Sequence, residues 1–244
     1  MTSFPLEFDG AGYTHTGMVR ERNEDAILLD PSGQLWVISD GMGGHGHGDV
    51  AAAMVVDGFA ALVGDTDPEA MLAEQIARIN TDIHNIAARD GGTMGATLVA
   101  AFLQDNVSYL VWVGDSRIYL WRDGMLRQLS KDHSHVQELL DQGLISQQDA
   151  ENHVERNVIT RAMGVEPTVV PDFVTLPLRA HDRVLLCSDG LTTCVSNAQI
   201  ADVLSAHITP KLAAAALTRA ALDAGAPDNV SVIVVAAEER SGDA

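Results

Sequence analysis

Two stretches of this chain end alike. Leu35-Trp36-Val37-Ile38-Ser39-Asp40-Gly41 and Val184-Leu185-Leu186-Cys187-Ser188-Asp189-Gly190 each run apolar or sulfur-bearing residues into Ser-Asp-Gly. Unbroken apolar runs bounded by turn residues read as buried strands. Tyr109-Leu110-Val111-Trp112-Val113-Gly114-Asp115 closes a third such run, and Pro227-Asp228-Asn229 stands immediately before a fourth. A single aspartate in this setting caps a helix or makes an Asx turn. Four acids at strand termini beside Gly or Pro constrain the fold far more. If the sheet ends meet, the carboxylates repel one another and lose water unless cations sit among them. Oxygen-only ligands select hard divalent ions, Mg²⁺ or Mn²⁺, over zinc or copper. Gly41 suits such a site because a residue without Cβ lets a backbone carbonyl approach the ion.

Apolar runs predict strands at 26–29, 35–38, 96–103, 107–113, 118–121, 169–176, 183–187 and 230–236. Asp123-Gly124 marks a hairpin turn within 118–129. Helical periodicity covers 50–63 and 68–88, the latter opened by Asp67-Pro68. Further helices are expected at 197–207 and 210–224, with short ones at 134–143 and 146–153. Strands interleaved with paired long helices, without strict β-α-β alternation, give a layered α+β architecture in which helix pairs cover two packed, mainly antiparallel sheets.

Nothing in the 244 residues breaks the composition, so one domain spanning 1–244 is expected, and 46 % hydrophobic residues suffice for a substantial core. A formal charge of −19 argues against a nucleic-acid surface, which needs clustered Lys and Arg. Without a basic start, an apolar leader or a membrane-length apolar stretch, a cytoplasmic protein with no membrane contact is expected, most simply a monomer. Cys187 and Cys194 read as free thiols in a reducing compartment.

Gly41-Met42-Gly43-Gly44-His45-Gly46 matches G-x-G-x-x-G between a strand and a helix, the pattern of a dinucleotide site. Asp40 would stand where the pyrophosphate arrives, and a helix follows where the second strand belongs, so a nicotinamide oxidoreductase is disfavoured. His45 and His47 lack a third ligand nearby and read as exposed loop residues, with His45 at the rim of the site.

In order, the chain carries Gly17-Met18-Val19-Arg20-Glu21-Arg22-Asn23-Glu24-Asp25, Asp40-Gly41-Met42-Gly43-Gly44, Gly92-Thr93-Met94-Gly95-Ala96-Thr97, Val113-Gly114-Asp115-Ser116-Arg117 and Lys131-Asp132-His133-Ser134. Asn157-Val158-Ile159-Thr160-Arg161-Ala162-Met163-Gly164, Ser188-Asp189-Gly190-Leu191 and Pro227-Asp228-Asn229-Val230-Ser231 complete the series. Together these resemble the metal-dependent Ser/Thr protein phosphatases of type 2C, and the compact bacterial members in particular. The resemblance implies a four-layer α-β-β-α sandwich with two metals in a cleft at one end. By position, Asp40 would bridge both ions, the Gly41 carbonyl would complete one, and Asp189 with Asp228 would hold the other. Asp115 and Asp189 would bind a third, weaker ion. Glu24 and Asp25 would hydrogen-bond the waters around the metals, and Arg20 would grip two oxygens of the substrate phosphate. Such a site lowers the pKa of a water shared by the ions and offsets charge on the phosphoryl group. No cysteine nucleophile is implied, since neither cysteine sits in a C-x5-R loop.

The implied activity is hydrolysis of phosphoserine and phosphothreonine in proteins, opposing a cognate bacterial Ser/Thr kinase. A catalytically silent metal-binding regulatory module on the same fold is the alternative, disfavoured by the complete ligand set. One departure stands out: many eukaryotic members carry histidine after Asp-Gly, and here that position is Met42. The leaving-group proton would then come from metal-bound water or His45. Residues 133–164 correspond to the flap beside the cleft in bacterial relatives, a surface suited to contacting the protein substrate.

Overall fold

The structure, a computed structural model, describes residues 5–43, 47–62, 67–90, 92–151, 153–207 and 209–240. Among these, the strands form two sheets. One has five, ordered β1 (Leu6–His15), β11 (Val230–Glu239), β10 (Arg183–Cys187), β7 (Arg117–Arg122) and β8 (Met125–Gln128). The second runs β2 (Asp25–Leu29), β3 (Leu35–Gly43), β5 (Leu98–Gln104), β6 (Val107–Val113) and β9 (Asp172–Pro177), with β4 (Met94–Ala96) added on β3. Every strand pairing is antiparallel.

The apolar runs are continuous because both faces of these strands are covered. In β3, Leu35 and Val37 face α1 (Gly48–Ala60) and α2 (Pro68–Asp90), meeting Val55, Phe59, Leu72 and Ile76. Trp36 and Ile38 point the other way, into the interior between the sheets. In β10, Val184 and Leu186 enter that same interior, while Leu185 and Cys187 pack toward α6 (Asn197–Ala206) and α7 (Pro210–Asp223). Three apolar layers thus separate four layers of secondary structure, the expected α-β-β-α order. No helix among the described residues is long and apolar enough to cross a membrane. Both cysteines are free, Cys187 buried and Cys194 half-buried, and burial pushes the Cys187 thiol up to about 12.

Several boundaries differ from the expectation. Strand β1 lies outside the apolar runs that predict strands. Its glycines dilute the apolar pattern, yet ten consecutive residues pair with β11. Gly10 permits this, since a Cβ there would stand 2.2 Å from the Trp36 indole nitrogen. The expected strand 96–103 is broken at Thr97, whose hydroxyl takes the Asp40 N–H at 3.0 Å and interrupts the ladder between β4 and β5. Strand β9 begins at Asp172 instead of 169, after Pro171. The 118–129 hairpin forms as expected, with Asp123 and Gly124 both at positive φ.

Candidate active site

Asp40 does not sit at a strand end, because β4 extends the pairing of β3 through Gly43. Asp115 follows β6 in the turn to β7, Asp189 opens the four-residue helix α5 (Asp189–Thr192), and Asp228 precedes β11. These elements leave both sheets at the same end of the sandwich. There they surround a cleft of about 720 Å³ lined by Arg20, Glu24, Asp40, Gly41, Asp115, Asp189 and Asp228. Seven of the eight residues singled out from sequence therefore share one cavity wall. Asp25, the eighth, is buried directly opposite Asp40 across the β2–β3 pair.

Two carboxylates facing each other on paired strands destabilise a sheet unless something compensates. The strain registers in their protonation. Burial first, and then the charges of Asp25, Asp189, Asp115 and Asp228, push Asp40 well above the carboxylate range. Burial raises Asp25 to about 7 against the hydroxyls of Ser231 and Ser188, which donate to its Oδ2 at 2.6 and 2.9 Å. Asp115 rises to about 7 through burial and the neighbouring Asp189. Asp189 rises to about 6 through burial and Asp228, opposed by Arg117 and Arg20.

The donor set fits hard divalent cations. It consists of carboxylate and backbone oxygens, and neither His nor Cys lines the cleft among the described residues. Oδ1 of Asp25 is buried without any hydrogen-bond partner. No three acids close into a single ready-made cage among the described residues; the carboxylates line a shared wall. Arg20 is not free either: its Nη2 bonds Oδ2 of Asp228 at 2.8 Å.

A family model described as protein phosphatase 2C matches residues 11–223. The chain belongs to the protein phosphatase 2C family. The serine/threonine phosphatase stp of Listeria monocytogenes serotype 4b is 38% identical over 234 residues, covering 91% of this chain and 93% of its own. Among solved structures, PppA, described as a key regulatory component of T6SS in Pseudomonas aeruginosa, superposes with a TM-score of 0.88 at 38% identity. That match covers 96% of this chain and 99% of the other. The catalytic domain of the serine threonine protein phosphatase PstP, in complex with 2 manganese ions, gives 0.87 at 36% identity, covering 96% and 99%.

Around the acids, this 2C-family chain uses further polar residues to which the sequence motifs alone assign no role. Asn229 accepts from the Glu24 N–H at 2.8 Å and donates to the carbonyls of Thr16 and Arg22, clamping the loop that carries Arg20 and Glu24. Its place beside Asp228 was the only sequence signal. Thr97 bonds both the Asp40 N–H and the Ser116 hydroxyl, tying β3 to the Asp115 turn. Gly41 also serves the packing: a Cβ there would meet the Gly48 carbonyl oxygen at 2.0 Å, so glycine lets β3 pack against the start of α1. His47 is exposed just ahead of α1 and caps it with no side-chain bond, whereas His45 lies outside the described residues.

Gly190 offers a local check on this packing. A Cβ there would stand 1.9 Å from the Asn229 carbonyl oxygen. Gly190→Ala is expected to push the Asp228-Asn229 turn away and lower stability by about 1–3 kcal/mol, read as a reduced urea midpoint at unchanged m.

Proposed function

We propose that the chain is a Mg²⁺- or Mn²⁺-dependent phosphatase of phosphoserine and phosphothreonine in proteins, opposing a Ser/Thr kinase in a bacterial cytoplasm. The convergence of Asp40, Asp189, Asp228 and Arg20 on one cleft carries this reading. The phosphatase names of the relatives, and the manganese in PstP, support it. Asp40 and the Gly41 carbonyl would hold one ion, Asp40 with Asp189 and Asp228 the other, and Asp115 with Asp189 a third. Glu24 and Asp25 would stand behind them. When bound, the ions supply Lewis acidity that acidifies water and offsets phosphoryl charge.

The chain's own residues supply the rest. Arg20, already beside Asp228, presents a planar fork that can exchange that carboxylate for two phosphate oxygens. Asn229 fixes the loop from which Arg20 reaches, so the fork is positioned before the phosphate arrives. Met42 has no proton to give the leaving alkoxide. We take residues 1–244 to act as one phosphatase domain. Within it the 133–164 segment, which sets Asn157 and Ile159 in the cleft wall, serves as a flap toward substrate.

Phosphate release from a phosphothreonine peptide by chelator-treated protein, with Mn²⁺, Mg²⁺ or neither, tests the reading. Turnover should need the metal, and no release with either ion would defeat the proposal. Arg20→Ala should raise the peptide KM roughly 10- to 100-fold, the worth of a lost charge-assisted hydrogen bond, with a smaller change in kcat. A loss confined to kcat would take Arg20 out of phosphate binding.

A further inference from the structure

Both ends of the 133–164 segment come together at His133. Ser134 pairs with Ile159 as a β-bridge, the His135 N–H donates to the Val158 carbonyl, and the Thr160 N–H donates to the His133 carbonyl at 2.8 Å. This forms a neck, and His133 closes its base. The ring is buried and stacks at 22° on Trp112 of β6. Two bonds then join His133 to Gly114, the residue before Asp115. The His133 backbone N–H donates to the Gly114 carbonyl at 2.9 Å, and the Gly114 N–H donates to the ring Nδ1 at 3.0 Å.

A backbone N–H can only donate, so Nδ1 acts as the acceptor of that second bond. Nε2 lies 3.4 Å from Oδ2 of Asp172. Nη1 of Arg161 stands 3.0 Å from Nε2 and also donates to Oδ1 of Asp172 and the Val170 carbonyl. Burial and the Arg161 charge lower the histidine pKa, in keeping with a neutral ring.

Beyond Gly114 the contacts run on to the cleft floor. Gly114 sits at φ +106°, so close to Thr97 that a Cβ would stand 2.7 Å from its methyl carbon. Thr97 in turn bonds the Asp40 N–H. We propose that His133 is a positioning residue that couples the neck of the 133–164 segment to the Gly114-Asp115 turn, so that the segment's placement and the Asp115 carboxylate are set together. The role of the coupling rests on the phosphatase reading; the coupling itself does not.

Amide exchange at Gly114 and kinetics on two substrates, for His133→Ala and His133→Asn, test it. Asparagine Oδ1 can take the place of Nδ1, while its short side chain abandons Asp172. In His133→Ala the Gly114 amide should exchange roughly 10- to 100-fold faster, and in His133→Asn within about threefold of the native rate. Turnover of p-nitrophenyl phosphate should fall in His133→Ala and be rescued in His133→Asn, whereas the phosphopeptide KM should rise in both. If His133→Ala does not fold, His133→Gln, whose longer amide reaches past Gly114, carries the same expectation. Native exchange in the alanine or glutamine variant, or an asparagine variant no better than either, would overturn the coupling. Native protein inactive on both substrates would instead sink the phosphatase reading and leave the exchange result standing.

Discussion

Asp40→Asn is expected to cut metal-dependent turnover by on the order of a thousandfold, the equivalent of ~4 kcal/mol of transition-state stabilisation. The metal-free fold should be as stable as before, or more so. The two halves of this expectation have one origin. Asp40 is pressed by four other carboxylates while paired directly against Asp25 across β2–β3. An amide of the same shape removes the central charge of that group and keeps the Thr97 hydrogen bonds, which involve only the Asp40 backbone. It also removes the one side chain proposed to serve both ions. Steady-state kinetics at saturating Mn²⁺, beside urea unfolding in chelator, measure both halves. Turnover within about tenfold of native would contradict the assigned role, since so small a loss is only ~1.4 kcal/mol. A large drop in metal-free stability would contradict the account of repulsion.

The second large effect concerns pH. Asp25 and Asp115 titrate near 7 and Asp189 near 6 in the fold, against 3.8 for an ordinary aspartate. Between about pH 4 and 7 the unfolded chain has released protons that the native state still holds, so stability falls as pH rises through this window, and Asp40, raised in the same direction, adds to the fall. The metal-free protein should therefore melt at a higher temperature at pH 5 than at pH 8. Cations reverse the balance by favouring the ionised acids. Manganese at 100 times its dissociation constant adds about 2.7 kcal/mol per site. In a chain of this size that is about 5–10 °C in Tm for one site. The gain should be larger at pH 8 than at pH 5, where protons compete for the same oxygens. Differential scanning at the two pH values, with and without Mn²⁺, decides it. A metal-free Tm that climbs from pH 5 to pH 8 would be the contrary result.

The layers of the fold were legible because burial on both faces leaves an unmistakable mark. Val184 to Cys187 and Leu35 to Ile38 have no polar alternation, and each residue has an apolar layer to enter. Strand β1 was not legible, because it draws its stability from ten-residue pairing with β11 and from Gly10, which makes room for Trp36. Neither of those is a local property of its own sequence. The acids stood out by repetition at the ends of apolar runs. The groups that orient them did not: Asn229 and Thr97 act through backbone partners and Ser231 through the Asp25 carboxylate, all far away in the chain, as when Asn229 reaches Thr16 and Arg22. Likewise the Arg20–Asp228 pair joins residues 208 positions apart, and nothing in either segment names the other.

Asp25 and Asp40 belong to one sheet, while Asp189 and Asp228 adjoin the other. Their spacing is therefore a gauge of how the two halves of the sandwich are seated. A slide of one sheet over the other by a fraction of an ångström would alter the gap between Asp40 and Asp189 while leaving each sheet internally intact. On the proposed ligand set, catalytic competence therefore depends on the packing between the sheets and not on either sheet alone.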